Sequence, residues 1–206
     1  MRAIIVDDER LARKELMKLL EDHPMIEVVG EAVNAEEAYQ MINELNPDLL
    51  FLDIQMPGKT GFQLLEMLDS VPLVVFTTAY DEFALKAFEV NALDYLLKPI
   101  QPERLSETIA KLAEKERSRI VAERGPEKKL GLNDQVFVKD GERCWFVSLN
   151  NVRLFESDGN YIKVYFDNNR PMIHKSLNAL DEKLDERAFF RASRKHIVNL
   201  SWVEGI

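Results

Sequence analysis

Cysteine is nearly absent from this 206-residue chain: Cys144 stands alone, so an internal disulfide is excluded, and no Cys/His cluster has zinc-ligand spacing. A reducing cytoplasm is the expected location. Long apolar runs are missing too. Ala3 to Val6 is cut off by Asp7, too short for a signal-peptide core or a membrane span, and nothing later approaches the roughly twenty residues a span needs. A membrane is therefore not expected among the partners. Low-complexity tracts and internal repeats are also lacking. With 46% hydrophobic and 31% charged residues, the composition is that of a globular protein able to bury a core. Excess positive charge is absent, and the net charge of −9 argues against nonspecific nucleic-acid binding by the whole surface. That sum hides an asymmetry. Up to Gly125 there are 14 basic and 24 acidic residues, and beyond it 13 and 12. The length suits two domains, and their charges suit different partners.

What is present begins with short β-rich runs alternating with amphipathic helical stripes, the pattern of a parallel sheet covered on both faces. The expected strands are Ala3–Val6, Val28–Glu31, Leu49–Leu52, Leu73–Phe76 and Tyr95–Leu97. Between them lie the stripes Ala12/Leu16/Leu19, Ala38/Ile42/Leu45, Gly61/Leu64/Leu68 and Ala84/Ala87/Phe88, the second opened by an Asn34/Glu37 capping box. Pro102 suits the first position of a further helix bearing Leu105, Ile109 and Leu112. That helix runs into mixed charges at Glu114–Arg117 and stops by Gly125-Pro126. Beyond it the period drops to two. Val136–Val138 and Trp145–Val147 flank Asp140-Gly141, a hairpin signal, and Tyr161–Phe166 alternates between faces. Ser176 opens a helix with Leu177, Leu180 and Leu184 on its apolar side, and a short strand follows at His196–Asn199.

In an open parallel sheet, ligands collect outside the carboxyl ends of the strands. Asp7 and Asp8 follow the first strand, Asp53 the third, Thr78 the fourth and Lys98 the fifth. Three converging carboxylates resist ionisation together unless a cation joins them, which points to a hard divalent ion such as Mg2+. A carboxylate held in this way can attack phosphorus, and Asp53 is the best candidate. Lys98 and Thr78 would then supply a point charge and a hydroxyl donor to the transferred group. Singly, each residue has a plainer reading: Asp7 or Asp8 as a helix cap, Asp81 as another, Thr78 and Tyr95 as ordinary strand residues.

The set Val6-Asp7-Asp8-Glu9, Leu52-Asp53-Ile54-Gln55-Met56-Pro57-Gly58, Thr78-Ala79 and Tyr95-Leu96-Leu97-Lys98-Pro99 resembles the motifs of response-regulator receiver domains over about the first 120 residues. The resemblance implies an α/β fold, a five-stranded doubly wound parallel sheet of the flavodoxin-like kind. It also implies a role for each residue: Asp53 as phosphoacceptor, Asp8 as direct Mg2+ ligand, Asp7 assisting through water, and the Gln55 main-chain carbonyl completing the set. Thr78 and Tyr95 would be the switch pair, Lys98 the phosphoryl contact, and Gln55 and Tyr80 the positions that tune dephosphorylation. A cis Lys98–Pro99 bond is implied as well. A sensor histidine kinase would be the phosphodonor. On phosphorylation Thr78 would move inward, the Tyr95 ring would follow, and the surface formed by the helix at Ala84, the fifth strand and the helix from Pro102 would favour a homodimer.

The second half is similar to the LytTR family of mostly-β DNA-binding domains, through Leu154–Val164 and Phe190–Asn199. That likeness implies loops entering the major groove of promoter DNA, with Asn160 and Arg194 at bases and Lys195, Arg191 and His196 near phosphates. Arg191 as an internal ion-pair partner and His196 as an edge-strand residue are the plainer alternatives. Because LytTR domains usually continue past the Ile-Val-Asn strand while this sequence stops at Ile206, the domain is expected to be incomplete at its C-terminus. The expected layout is a receiver over 1–118, a linker over 119–135 and the LytTR-type domain over 136–206. Two other functions compete with transcription control: a regulator acting by protein interaction alone, and a phosphatase of the haloacid-dehalogenase type. The latter needs an Asp two positions after its nucleophile, where this chain has Gln55.

Overall fold

A computed structural model describes residues 1–79, 94–119, 129–141 and 143–204, with the backbone alone for 115–119. The chain divides into two compact units, Met1–Ile120 and Val121–Ile206. The Ala84/Ala87/Phe88 stripe, Tyr80, Asp81 and the Gly125-Pro126 break lie outside the described residues.

In the first unit, strands β1 (Arg2–Val6), β2 (Glu27–Ala32), β3 (Leu49–Asp53), β4 (Leu73–Thr78) and β5 (Asp94–Leu97) form a five-stranded parallel sheet ordered β2-β1-β3-β4-β5. Strands β1, β3 and β4 are apolar nearly throughout because both faces are covered, and Ile4, Phe51, Leu52 and Phe76 are wholly buried. The accompanying helices are α1 (Arg10–Leu20), α2 (Ala35–Leu45), α3 (Gly61–Met67) and α4 (Pro102–Arg119). One core layer joins Leu16 and Leu20 of α1 to Leu105, Ile109 and Leu112 of α4 across Ile5, Phe51 and Val75.

Several local details differ from expectation. The buried stripe of α1 is Arg13, Leu16 and Leu20 rather than Ala12, Leu16 and Leu19, because a basic residue near the amino end turns toward the site described below. Asn34 does cap α2 by accepting from the Glu37 amide, but the Glu37 carboxylate reaches past the cap to the Val33 amide. A complete capping box occurs instead at Thr60/Gln63, opening α3. Neither Asp7 nor Asp8 caps α1, which begins after Glu9 without a side-chain cap.

The second unit contains the hairpin β6 (Gln135–Asp140) and β7 (Arg143–Ser148), turned at Gly141 with φ +61°. A five-stranded sheet follows, ordered β10-β9-β8-β12-β11, from β8 (Val152–Asp158), β9 (Tyr161–Phe166), β10 (Met172–Ile173), β11 (Phe189–Arg191) and β12 (His196–Asn199). Helix α5 (Leu177–Lys183) contributes Leu177 and Leu180 to a core with Phe155, Ile162, Val164 and Ile197. Ser176 stands at its cap position but makes no side-chain cap bond. Asn199 is buried, and its side-chain amide donates to the carbonyls of Leu149 and Val152, fixing the approach to β8.

Asp94, buried at the start of β5, accepts from the Thr108 hydroxyl and from Lys111, both at 2.9 Å, and from Arg104, tying β5 to α4. Burial works to raise its pKa, but the hydrogen bonds from Lys111 and Arg104 prevail and hold the carboxyl below its ordinary value. The folded pKa is therefore lower than the unfolded one, so this network stabilises the fold at neutral pH and fades as the pH falls through the lowered value. Both cations are partly solvated, their side chains 36% and 52% exposed, which screens the pairs. Asp94→Asn should cost roughly 1–3 kcal/mol at pH 7, with the difference from wild type shrinking as the pH falls below the ordinary carboxylate range, as read by urea unfolding across that pH series.

Candidate functional site

Strands β1, β3 and β5 deliver their last polar residues to one end of the first sheet. Lys98, just past β5, donates from Nζ to Asp53 Oδ2 at 2.7 Å and lies 2.6 Å from Asp7 Oδ2. One ammonium thus bridges two carboxylates carried by different strands. Asp7 and Asp53 are buried, whereas Asp8 is exposed at the rim. Ligand oxygens of all three aspartates lie within 4.8 Å of one another.

The two buried carboxylates are oriented by main chain. Asp53 Oδ1 accepts from the Gln55 amide at 3.1 Å, and Asp7 Oδ1 accepts from the Glu9 amide at 2.9 Å. The second contact turns Asp7 back on the start of α1, which explains why it is not a helix cap. Gly61 packs its backbone directly on the Asp53 carbonyl, and its amide donates to Ile54 O at 2.9 Å. A Cβ there would collide with that carbonyl, so glycine is required by close approach.

The electrostatics follow from burial and count. Burial raises the Asp53 pKa above its ordinary value, against the opposing hydrogen bond from Lys98. Burial works against the Lys98 charge as well, but hydrogen bonds to Asp53 and Asp7 outweigh it and hold the ammonium above its usual range. The three clustered carboxylates and the Lys98 ammonium, which pairs with two of them, sum to a charge of −2, a deficit that matches a divalent ion.

The other expected residues of this half are placed close by. Thr78 ends β4, fully buried, and its carbonyl accepts from the Lys98 amide at 2.8 Å. Tyr95 lies on β5, half-buried, opposite Phe76 of β4. Gln55 is exposed in the loop after β3, and the Lys98–Pro99 bond is cis. Arg13 went unnoticed in the sequence. Its Nη1 donates to the Asp7 carbonyl at 2.8 Å and reaches the Asp8 carbonyl at 3.4 Å, while Nε holds Glu31. The available signal was an arginine three residues before Leu16, on the inward side of an amphipathic helix.

At one end of the second sheet, two connections lie side by side. The β8–β9 turn carries Gly159, with φ +62°, and exposed Asn160. The β11–β12 connection carries exposed Arg194 and Lys195. His196 of β12 pairs with Glu156 of β8, and the Ser157 amide donates to the Lys195 carbonyl at 2.8 Å. Asn160, Arg194, Lys195 and His196 therefore gather at one sheet end. Arg191 does not share the open position of Arg194: its guanidinium is engaged by Leu177, Asn178, Asp181, Ser193 and Arg194. The fold thus surrounds its guanidinium with internal partners.

Comparison with known proteins agrees with this division. The family model described as response regulator receiver domain matches residues 3–110, and that described as LytTr DNA-binding domain matches 142–206. The chain belongs to the response regulators that join these two domains. An uncharacterized response regulatory protein of Vibrio cholerae is 40% identical across all of this chain and 85% of its own length. Sensory transduction protein LytT of Enterococcus faecalis is 36% identical, covering 100% of this chain and 86% of that protein. Transcriptional regulatory protein BtsR of Escherichia coli is 37% identical, covering 100% and 85%. Among solved structures, the response regulatory domain of mrkE from Klebsiella pneumoniae matches with a TM-score of 0.53 at 36% identity, over 57% of this chain and 99% of that one. The REC domain of AraT from Geobacillus stearothermophilus gives 0.52 at 35%, over 58% and 97%. This response regulator is accordingly a two-component transcription regulator; its receiver implies a histidine kinase partner and its LytTR domain implies DNA. No described helix is long and apolar enough to cross a membrane.

With Lys98 removed, two buried carboxylates would face each other without a cation. The Asp53 carboxyl, already raised by burial, would lose the hydrogen bond that lowers it and rise further above its unfolded value, so the penalty is largest at neutral pH and relieved by acid. In EDTA, Lys98→Met should cost roughly 2–4 kcal/mol at pH 7 and less at pH 4, measured by denaturant midpoints.

Proposed function

We propose that this response regulator accepts a phosphoryl group on Asp53 in a Mg2+-dependent reaction and that phosphorylation controls dimerisation and promoter binding by the LytTR domain. The observation that carries the reading is the bridge from Lys98 to Asp7 and Asp53 beside exposed Asp8. An Asp53 carboxylate oxygen attacks the phosphorus of the donor, phosphohistidine of the kinase or a small acyl phosphate, and the bond from phosphorus to the leaving nitrogen or oxygen breaks. Asp8, Asp53 and the Gln55 carbonyl would hold the metal, with Asp7 acting through water. Bound there, Mg2+ supplies charge neutralisation to the phosphoryl oxygens.

Lys98 is already within hydrogen-bond distance of the nucleophile. Once an Asp53 oxygen is esterified, the ammonium is free to follow the new phosphoryl charge, about −1.5 to −2. The Thr78 hydroxyl serves as the second donor, and Tyr95 as the ring that reports its movement. A nearly complete population shift needs about 5.5 kcal/mol of differential stabilisation, within reach of a buried charge-assisted network. Gln55 bears an amide where a haloacid-dehalogenase phosphatase needs an acid, so the chain acts as a phosphoacceptor rather than a turnover enzyme.

We assign residues 1–118 to the receiver, 119–135 to a linker and 136–206 to the DNA-binding domain, in a cytoplasmic protein. Asn160 and Arg194 are the base-reading candidates, with Lys195 and His196 near phosphates; their shared position at one sheet end supports this.

The decisive experiment is intact-mass analysis after acetyl phosphate treatment. Wild type should gain one phosphoryl group with Mg2+ and none with EDTA, and Asp53→Asn should gain none. Acid-labile phosphate persisting in Asp53→Asn would overturn the assignment. Binding to promoter DNA should weaken steeply with salt, log K falling by about 0.9 per phosphate contact for each tenfold rise.

A further inference from the structure

The fold treats two neighbouring arginines in opposite ways. Arg194 is exposed, and among the described residues none makes a hydrogen bond or ion pair with its guanidinium. The Arg191 side chain is only 25% exposed and is held on all sides. Its Nε donates to the Ser193 carbonyl at 2.7 Å, and Nη2 donates to the Arg194 carbonyl at 2.9 Å and to Asn178 Oδ1 at 3.1 Å. Nη1 donates to the Leu177 carbonyl at 3.2 Å and lies 3.4 Å from Asp181 Oδ2. One planar group therefore joins two main-chain carbonyls of the β11–β12 connection to the first turn of α5.

Other bonds shape the tip without reaching α5. Ser193 Oγ accepts from the Lys195 amide at 3.1 Å and lies 2.9 Å from His196 Nδ1. Ser193 and His196 also exchange main-chain bonds of 3.3 and 3.4 Å. These close the turn, while Arg191 sets where the closed turn stands.

We propose that Arg191 is a positioning residue for DNA recognition: it clamps the Ser193–Arg194 backbone to α5 so that Arg194 and Lys195 are presented at a fixed place, and it does not itself touch DNA. This rests on the DNA-binding reading of the second unit. A phosphate contact tolerates lysine, since a point charge suffices. A clamp does not, because one ammonium cannot span acceptors on both sides. Arg191→Lys thus separates the two roles, and Asn178→Ala with Asp181→Ala loosens the same clamp from the helix side should Arg191 variants fold poorly.

Two measurements on the full chain test the proposal. One is binding, over a salt series, to a duplex enriched from a random-sequence pool by wild type and to poly(dI-dC). The other is hydrogen exchange of residues 192–196 without DNA. Arg191→Lys should lose about tenfold or more in affinity for the enriched duplex, as expected when a base contact is misplaced, yet stay within about twofold of wild type on poly(dI-dC). Its salt slope should be unchanged, its melting temperature should be held, and exchange across the turn should quicken by about tenfold. Arg194→Ala should lose the same specific affinity, and the two changes combined should cost less than their sum. Wild-type affinity in Arg191→Lys together with a slope about 0.9 shallower in Arg191→Ala would make Arg191 a phosphate contact and refute the clamp. Unchanged exchange in Arg191→Lys would refute it equally. If wild type enriches no duplex, the DNA-binding reading fails, and the exchange result alone decides the clamp.

Discussion

The contact between Lys98 and the two carboxylates of Asp7 and Asp53 organises the first unit. It joins residues 91 and 45 positions apart in sequence, at the ends of β1, β3 and β5, which the sheet order β2-β1-β3-β4-β5 brings to one edge with β4 between the last two. Its cost is desolvation of three charged groups, accepted because each is hydrogen-bonded and oriented. Everything nearby serves that orientation: the Gln55 and Glu9 amides fix the carboxylates, Arg13 holds the Asp7 carbonyl, and Gly61 lets α3 rest on the Asp53 backbone. A site strained by like charge and propped by backbone is one that a new anion can rearrange.

Strand positions and the identity of the acidic cluster were legible because parallel strands buried on both faces leave continuous apolar runs, and polar residues just after them stand out. Leu49–Leu52 and Leu73–Phe76 illustrate this; each was short of the strand's full extent by one or two polar residues, Asp53, Thr77 and Thr78. The gathering of Asp53 and Lys98 at one sheet end followed from their places after the third and fifth strands. What escaped were features that depend on three-dimensional neighbours. Arg13 is an ordinary helix former until the Asp7 carbonyl is placed beside it. Asp94 is one more acidic residue until α4 brings Thr108, Lys111 and Arg104 to it. The Thr60/Gln63 box was hidden because Thr60 follows Pro57-Gly58-Lys59 and reads equally well as part of that turn.

The second unit was less legible for a physical reason. Its strands are short, its sheet antiparallel, and its period-two pattern is shared by many β folds. Strand β8 was visible only through the family likeness, and Arg191 stayed divided between a phosphate contact and an internal partner, since sequence records two arginines three positions apart and not which one has carbonyls around it.

Tethering of the Lys195 carbonyl to the Ser157 amide has a geometric consequence. Both connections at that sheet end spring from neighbouring strands, β12 beside β8 and β8 beside β9, so their separation is dictated by the interstrand repeat of about 4.8 Å. Lengthening either tip would alter its reach but not the pitch between them, and the footprint on a ligand would keep the same stride.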